Sequence, residues 1–324
     1  MQINLGKTQI LSAKIPLPPL PIQKQIVAEC EKVEEQYNTI RMSIEEYQNL
    51  IKAILLKTGV INDEDSASFS SLESILENLS KLESKLDFNL LLLKNEICHS
   101  ELRGSEESHF SKTIQELLQT LPTPPKDGWK IISLKNEQYI ELNPSKKEIS
   151  KLDENMLVSF IEMASVSDKG YIQSKIDKPL KEVRKAYTYF IENDILIAKI
   201  TPCMENGKCA IAKNLTNNIG FGSTEFHIFR AKTGLNSSFL FHNLNQQNIR
   251  EKAALAMTGA SGHKRVPISF YENLTIPLPP LEIQEKITQS IEAIERQISF
   301  IDSKLALLET QKEVILKKYL EKSV

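Results

Sequence analysis

Nearly the same twelve letters occur twice in this chain. "IPLPPLPIQKQI" runs from Ile15 to Ile26 and "IPLPPLEIQEKI" from Ile276 to Ile287, with nine letters identical at an offset of 261 residues. Neither copy suits a helix interior. Pro16, Pro18 and Pro19, with their counterparts in the second copy, fix φ and remove backbone donors, so each copy predicts an extended strap. Each strap then releases into a helix. After the first copy, apolar residues fall at Ile26, Cys30, Val33, Tyr37, Ile40, Ile44, Tyr47, Ile51 and Ile54, in alternating steps of four and three. After the second, Ile287, Ile291, Ile294, Ile298, Ile301, Leu305 and Leu308 keep the same steps, and the stripe reaches Ile315 and Tyr319 across Lys312. This is the 3.5-residue period of a coiled-coil seam. Adding 261 carries Ile26 onto Ile287, Val33 onto Ile294, Ile40 onto Ile301 and Ile54 onto Ile315, with Leu308 also in the second seam.

A helix of about 30 residues, roughly 45 Å long, with a single apolar stripe needs a partner. Equal length and register predict that the two repeats pair with each other, antiparallel if the chain between them is compact. The alternatives are two unrelated amphipathic helices, or a coiled coil formed with another protein.

The chain between the helices divides by composition. Residues 58–120 are rich in serine, leucine and acid. "NDEDSASFSS" reads as a loop, Leu72 to Leu93 as an amphipathic helix, "CHSELRGSEESHFS" as a loop, and Ser111 to Thr120 as a short helix stopped by "LPTPPKDGW". From Gly128, β-branched and aromatic residues rise and turn words become frequent. "ILIAKI" (Ile195–Ile200) and "FGSTEFHIFRA" (Phe221–Ala231) read as strands, "SSFLFHNLNQQNIREKAALA" as a helix, and Trp129 as a core anchor. The fold class is therefore α+β: one mixed α/β domain over 121–275 and two long helices pairing as an antiparallel coiled coil. The expected segments are 1–14, 15–57 (strap and helix), 58–120 (linker or insert), 121–275, and 276–324 (strap and helix).

Charge sharpens this division. The whole chain carries −2, yet Pro122–Thr275 holds 21 Lys/Arg against 16 Asp/Glu. A positive excess in the α/β unit is compatible with a nucleic-acid partner. No apolar run approaches the roughly 20 residues that span a bilayer, and the first residues lack the apolar core of a signal peptide, so no membrane partner and a cytoplasmic location are expected. Cys30, Cys98, Cys203 and Cys209 form no C-x-x-C pair and the histidines are scattered, so free buried thiols and no metal are expected.

With these pieces placed, the chain resembles the DNA-specificity (S, HsdS) subunit of Type I restriction-modification enzymes. "LPTPPKDGWKIISL" is similar to the opening of that family's target-recognition domain. "NDILIAKITPCMENGKCAI" and "GFGSTEFHIFRA" are similar to its middle. "TGASGHKRVP" followed by "LTIPLPPLEIQEKI" is similar to its exit into a conserved helical region. The resemblance covers about 15–57 and 121–324. It implies that each strap marks the end of a recognition domain and the start of a spacer helix, and that the two helices separate two domains which each read half of a split DNA target. The chain departs from the pattern at its start, where only "MQINLGKTQILSAK" precedes the first strap. Residues 1–14 then read as the remnant of a first recognition domain. A fragment, a disrupted gene and a subunit that forms a homodimer to regain two readers are the alternatives.

The same resemblance implies double-stranded DNA and methyltransferase (M) subunits as partners, restriction (R) subunits beside them, and no catalysis by this chain. Cofactors of its own are none: S-adenosylmethionine, ATP and Mg would belong to the partner subunits. The residues agree. "NPSK" at Asn143–Lys146 lacks the Asn/Asp-Pro-Pro-aromatic order of an amino-methyltransferase. No Walker A loop is present, and Ile197 stands where a nuclease would place the acid before Lys199. Candidate phosphate-positioning residues are His263, Lys264 and Arg265, in a glycine-flanked turn, and Lys178, Lys181, Arg184 and Lys185 in "KPLKEVRK". Thr201, Asn206, Lys208, Ser223 and Thr224 are candidate DNA contacts in words that recur across the family and so serve the domain's build as well. Each basic residue has the plain alternative of a solvated surface charge. Two further readings stay open: a coiled-coil adaptor without DNA binding, and the C-terminal specificity part of a fused restriction-modification enzyme.

Overall fold

The computed structural model describes residues 17–61, 71–86, 114, 116–260 and 262–320. Sequence expectations for 1–14, the first strap's Ile15 and Pro16, the loops at 62–70 and 98–111, the helical run beyond Leu86 and Cys98 lie outside them. The chain forms two compact units. One comprises the described residues within 1–53, 68–116 and 291–324, the other those within 54–67 and 117–290.

The first unit contains most of the two repeat helices, α1 (Leu20–Lys57, 38 residues) and α7 (Leu281–Leu320, 40 residues). Their contacts run in opposite directions along the chain. Glu29 meets Lys318 and Tyr319, Glu34 meets Lys312, and Tyr47 meets Gln297. The helices are thus antiparallel. Val33, Ile40, Ile54, Ile287, Ile294, Ile301 and Leu308 are all buried, while Ile26 is half-buried. Lys312, which breaks the apolar stripe, sits 3.5 Å from Glu34 across the pair.

A third helix, α2 (Leu72–Glu83), is capped by Ser71, whose side chain accepts from the Ser74 N–H. Its Ile75 and Leu79 are buried. Asn78 Nδ2 donates to Glu46 at 2.7 Å, and the Tyr47 hydroxyl donates to Glu83. Beyond α2, the carbonyl of Lys85 accepts from Gln36 Nε2 at 3.0 Å. The segment between the repeats therefore adds a helix to the bundle rather than acting only as a linker. Residues Ile114 and 116–119 are also helical.

The second unit is built on three sheets. β1 (Lys130–Ser133) pairs antiparallel with β10 (Thr275–Leu278) in the register Ile131↔Pro277. The second strap is thus a strand, and its proline is tolerated because both strands of a two-stranded sheet are edges. An antiparallel sheet has the order β2 (Ile140–Leu142), β9 (Phe226–Ala231), β6 (Ile195–Ala198), β7 (Cys209–Ile211). A mixed sheet has the order β4 (Ile176–Pro179), β3 (Leu157–Ile161), β8 (Ile219–Gly222), β5 (Thr188–Ile191), with β3 and β8 parallel.

The period of two decides which residue goes to which core. On β8, Ile219 and Phe221 face one cluster with Val158, Phe160, Leu180 and Tyr189. On β5, the neighbouring residue Phe190 faces the other, with Ile161, Leu196, Phe226 and Ile228. Gly220 is required there, because a Cβ would stand 2.0 Å from the Phe190 ring.

Four readings of the sequence change. "FGSTEFHIFRA" is two strands in different sheets: β8 ends at Gly222, β9 begins at Phe226, and the Ser223 Oγ accepts from the Glu225 N–H in the turn between. The expected helix after Asn236 is two, α4 (Ser237–Leu244) and α5 (Gln247–Leu255), with the short helices α3 (Leu180–Val183) before them and α6 (Ile268–Glu272) after. Trp129 is half-buried and ties down the end of α1, donating from Nε1 to the Thr58 carbonyl at 2.7 Å. Among the described cysteines, Cys209 is buried, but Cys30 and Cys203 are only half-buried. No helix among the described residues is long and apolar enough to cross a membrane.

Candidate nucleic-acid interface

Three segments far apart in sequence meet beside the ends of β6, β8 and β9. They are the loop after β6 (Lys199–Lys208), the turn Ser223–Glu225, and Thr258–Arg265. Backbone bonds stitch them together. Lys199 N–H donates to Glu225 O at 2.9 Å, Val266 N–H to Lys199 O at 2.9 Å, and Thr201 N–H to Lys264 O at 3.0 Å. Thr258 and Arg265 exchange both of their backbone bonds, at 3.0 and 2.8 Å. This closes the glycine-bearing turn on itself. Gly259, at φ +120, is needed at its base, since a Cβ there would lie 2.9 Å from the His263 carbonyl.

The turn presents His263, Lys264 and Arg265 to solvent. Arg265 is not a loose cation. Its Nε and Nη2 each donate to Glu225 at 2.8 Å, and its Nη1 donates to the His263 carbonyl at 3.1 Å. Those bonds, with Lys199 nearby, hold the Glu225 carboxyl below the ordinary carboxylate range. Behind them His227 is buried, and burial pushes its imidazole pKa down. Its Nε2 lies 2.8 Å from the Val266 carbonyl, which can only accept, so Nε2 carries the proton.

The other sequence candidates differ in how free they are. Asn206 is exposed in a turn closed by Asn206 N–H to Pro202 O and Gly207 N–H to Met204 O, both hydrogen bonds. Thr201 donates to Glu205. Thr224 is exposed at the tip of its turn, and Ser223 holds that turn's backbone. Lys208 points inward: its ammonium donates to the carbonyls of Met163, Ala164 and Val166 at 3.1, 3.4 and 2.8 Å. Three donors are matched by three acceptors.

Lys178, Lys181, Arg184 and Lys185 lie elsewhere. β3 carries Leu157 beside Pro179 at one end and Ile161 beside Gly222 at the other. The Lys178–Lys185 group and the Ser223–Glu225 turn therefore sit at opposite ends of β3, about 13 Å apart at roughly 3.3 Å per residue. Most of that group is engaged. Lys178 lies 4.0 Å from the Phe160 ring centroid, Lys181 donates to Asn155 at 2.9 Å, and Arg184 pairs with Glu154. Lys185 is exposed.

Two participants escaped the sequence reading. Glu225 stands inside "GSTEF", and an acidic residue carries no local mark of a place at a phosphate-binding edge. Lys199 lies inside the expected buried strand Ile195–Ile200. For cofactors, no group of three or more His, Cys, Asp or Glu among the described residues is arranged to hold a metal ion. An open cleft of about 440 Å³ over Arg230 and Asp194 has its buried acid already matched, since Arg230 donates to both Asp194 oxygens at 2.9 and 2.8 Å.

The family model described as "Type I restriction modification DNA specificity domain" matches residues 127–310. The chain is 43% identical over 164 residues to the Type I restriction enzyme EcoAI specificity subunit of Escherichia coli, covering 50% of this chain and 27% of that protein. It is 33% identical over 196 residues to the EcoEI specificity subunit of the same organism, covering 57% and 32%. The matched region thus spans less than a third of the length of either relative. Among solved structures, the HsdS subunit from Thermoanaerobacter tengcongensis superposes with a TM-score of 0.38 at 17% identity, covering 96% of this chain and 60% of that one.

Proposed function

Because the chain belongs to the family of Type I restriction-modification DNA specificity domains, we propose that it selects a DNA sequence for a modification and restriction complex and performs no chemistry itself. Residues 121–275 are the reader. The observation that carries this is the convergence of the Lys199–Lys208, Ser223–Glu225 and Thr258–Arg265 segments into one rigid basic edge. Lys199, His263 and Lys264 are its phosphate-positioning groups, with Asn206 and Thr224 beside them. Phosphate contacts set register and affinity, and a few oriented side chains set sequence choice. Lys208 supports the edge from within. S-adenosylmethionine, ATP and Mg serve the methyltransferase and restriction subunits that dock on this chain.

The repeat supports a second seat. Gln284, fully buried, donates from Nε2 to Pro279 O and to Gly234 O, while its Oε1 accepts from the Asn236 N–H. At the same 261-residue offset, Gln23 Nε2 donates to Pro18 O at 2.7 Å. The first strap therefore carries the hook that binds the second strap to its recognition domain, and its Leu17 and Leu20 are 83% and 62% exposed. A recognition domain of the same build, brought by a second copy of the chain, fits this seat.

The test is selection from a random duplex pool by the full chain assembled with its cognate methyltransferase subunit. A split motif with a fixed gap supports the reader and the second seat. A single short motif supports the reader alone. No enrichment at any salt concentration overturns the specificity reading in favour of an adaptor.

A further inference from the structure

The Arg265–Glu225 pair is built unlike a phosphate contact. The value of a basic residue at a phosphate lies in its charge and in the counterion it releases. Here the charge is already cancelled by a carboxylate that is itself largely sheltered, with 24% of its side chain exposed against 44% for Arg265. The arginine is instead held in one orientation. Its backbone N–H and C=O are both bonded to Thr258, and the residues on either side of it are tied to Thr201 and Lys199. Its Nε and Nη2 form a side-on fork with Glu225, and the carbonyl of His263, two residues back, accepts a hydrogen bond from Nη1. Three of five donors are thereby assigned, and one N–H on each of Nη1 and Nη2 remains, on the outer edge of the guanidinium.

A rigid, charge-compensated pair of parallel donors suits the O6 and N7 acceptors of guanine in the major groove better than a phosphate. We infer that Arg265 is a base-reading residue that specifies a guanine, and that Glu225 is the positioning residue that aims it. Resting on the DNA interface proposed above, this reading separates the two jobs of the loop: Lys199, His263 and Lys264 attract the backbone, and Arg265 chooses.

The experiment uses the full chain assembled with its methyltransferase subunit, and duplexes carrying the motif recovered from the pool. Affinity is measured over a range of KCl concentrations. Each guanine of the motif is replaced in turn by 7-deazaguanine, which lacks N7, and by adenine. One position is expected to weaken wild-type binding by about 5- to 150-fold. Arg265→Ala and Arg265→Lys both lose discrimination at that position alone, with a salt slope unchanged from wild type. Glu225→Gln also loses it, and its slope steepens by up to about 0.9 because a compensated cation becomes available to phosphates. Arg265→Lys is the decisive variant, since lysine keeps the charge and lacks the fork. If Arg265→Lys retains discrimination, or if Arg265→Ala weakens every duplex alike and flattens the slope by about 0.9, the base-reading role is overturned and Arg265 is a phosphate contact. Discrimination that survives Glu225→Gln overturns the positioning role. A recovered motif without guanine overturns the inference while leaving the DNA reader intact, whereas a wild-type complex that binds no DNA overturns the proposed function itself.

Discussion

His242 lies on α4 with 9% of its surface exposed, and burial lowers its imidazole pKa to about 4. In the unfolded chain a histidine titrates near 6.5, so between about pH 6.5 and 4 the unfolded state takes up a proton that the folded state refuses. The stability tied to His242 is therefore constant above pH 6.5 and falls as the pH drops towards 4, by about 2 kcal/mol at pH 5. Urea denaturation at pH 7.5 and pH 5 is expected to show this loss in the wild type and a smaller one in His242→Gln. Single residues were read unevenly from the sequence. Lys208 and Arg265 look alike there, as cations in glycine-bearing loops. Only their surroundings separate them, three backbone carbonyls around the first and a carboxylate beside the second. No local pattern encodes that difference, because each partner comes from another part of the chain.

At the scale of elements, the 3.5-residue seam and the proline straps were legible because their signal is periodic and local. The β8–β9 segment was not. Five of its eleven letters are β-branched or aromatic, with apolar residues at both ends, and the break at Ser223–Glu225 is made by two sheets competing for the two halves. The strap is where an element meets its domain, and Gln284 is the joint. Replacing it by leucine leaves the Asn236 N–H and the Gly234 and Pro279 carbonyls without their partner in a buried site. Each unmatched group costs about 1–3 kcal/mol, less whatever water recovers. Gln284→Leu is expected to lower the unfolding midpoint by chemical denaturation, while Gln25→Leu, at an exposed position on α1, leaves it unchanged.

For the whole molecule, the net charge of −2 hides the working asymmetry, and binding is expected to depend on the local field rather than on the total. Lys264→Ala removes one exposed cation from the basic edge. It is expected to weaken all duplexes by a similar factor and to flatten the plot of log K against log[salt] by about 0.9. Fluorescence anisotropy with the selected motif and a scrambled duplex checks both parts, and a loss confined to the motif would assign Lys264 to base reading instead. By itself the sequence determined the two straps, the two long helices with their matched seams, and the α/β unit between them. It did so because proline geometry and helical period act over a few residues and are written in consecutive letters. The tertiary structure decided which cations face solvent, which are matched inside, and that Lys199, Glu225 and Arg265 share one edge. Those outcomes depend on strand order and on hydrogen bonds between segments dozens of residues apart, and no short stretch of the chain contains both partners.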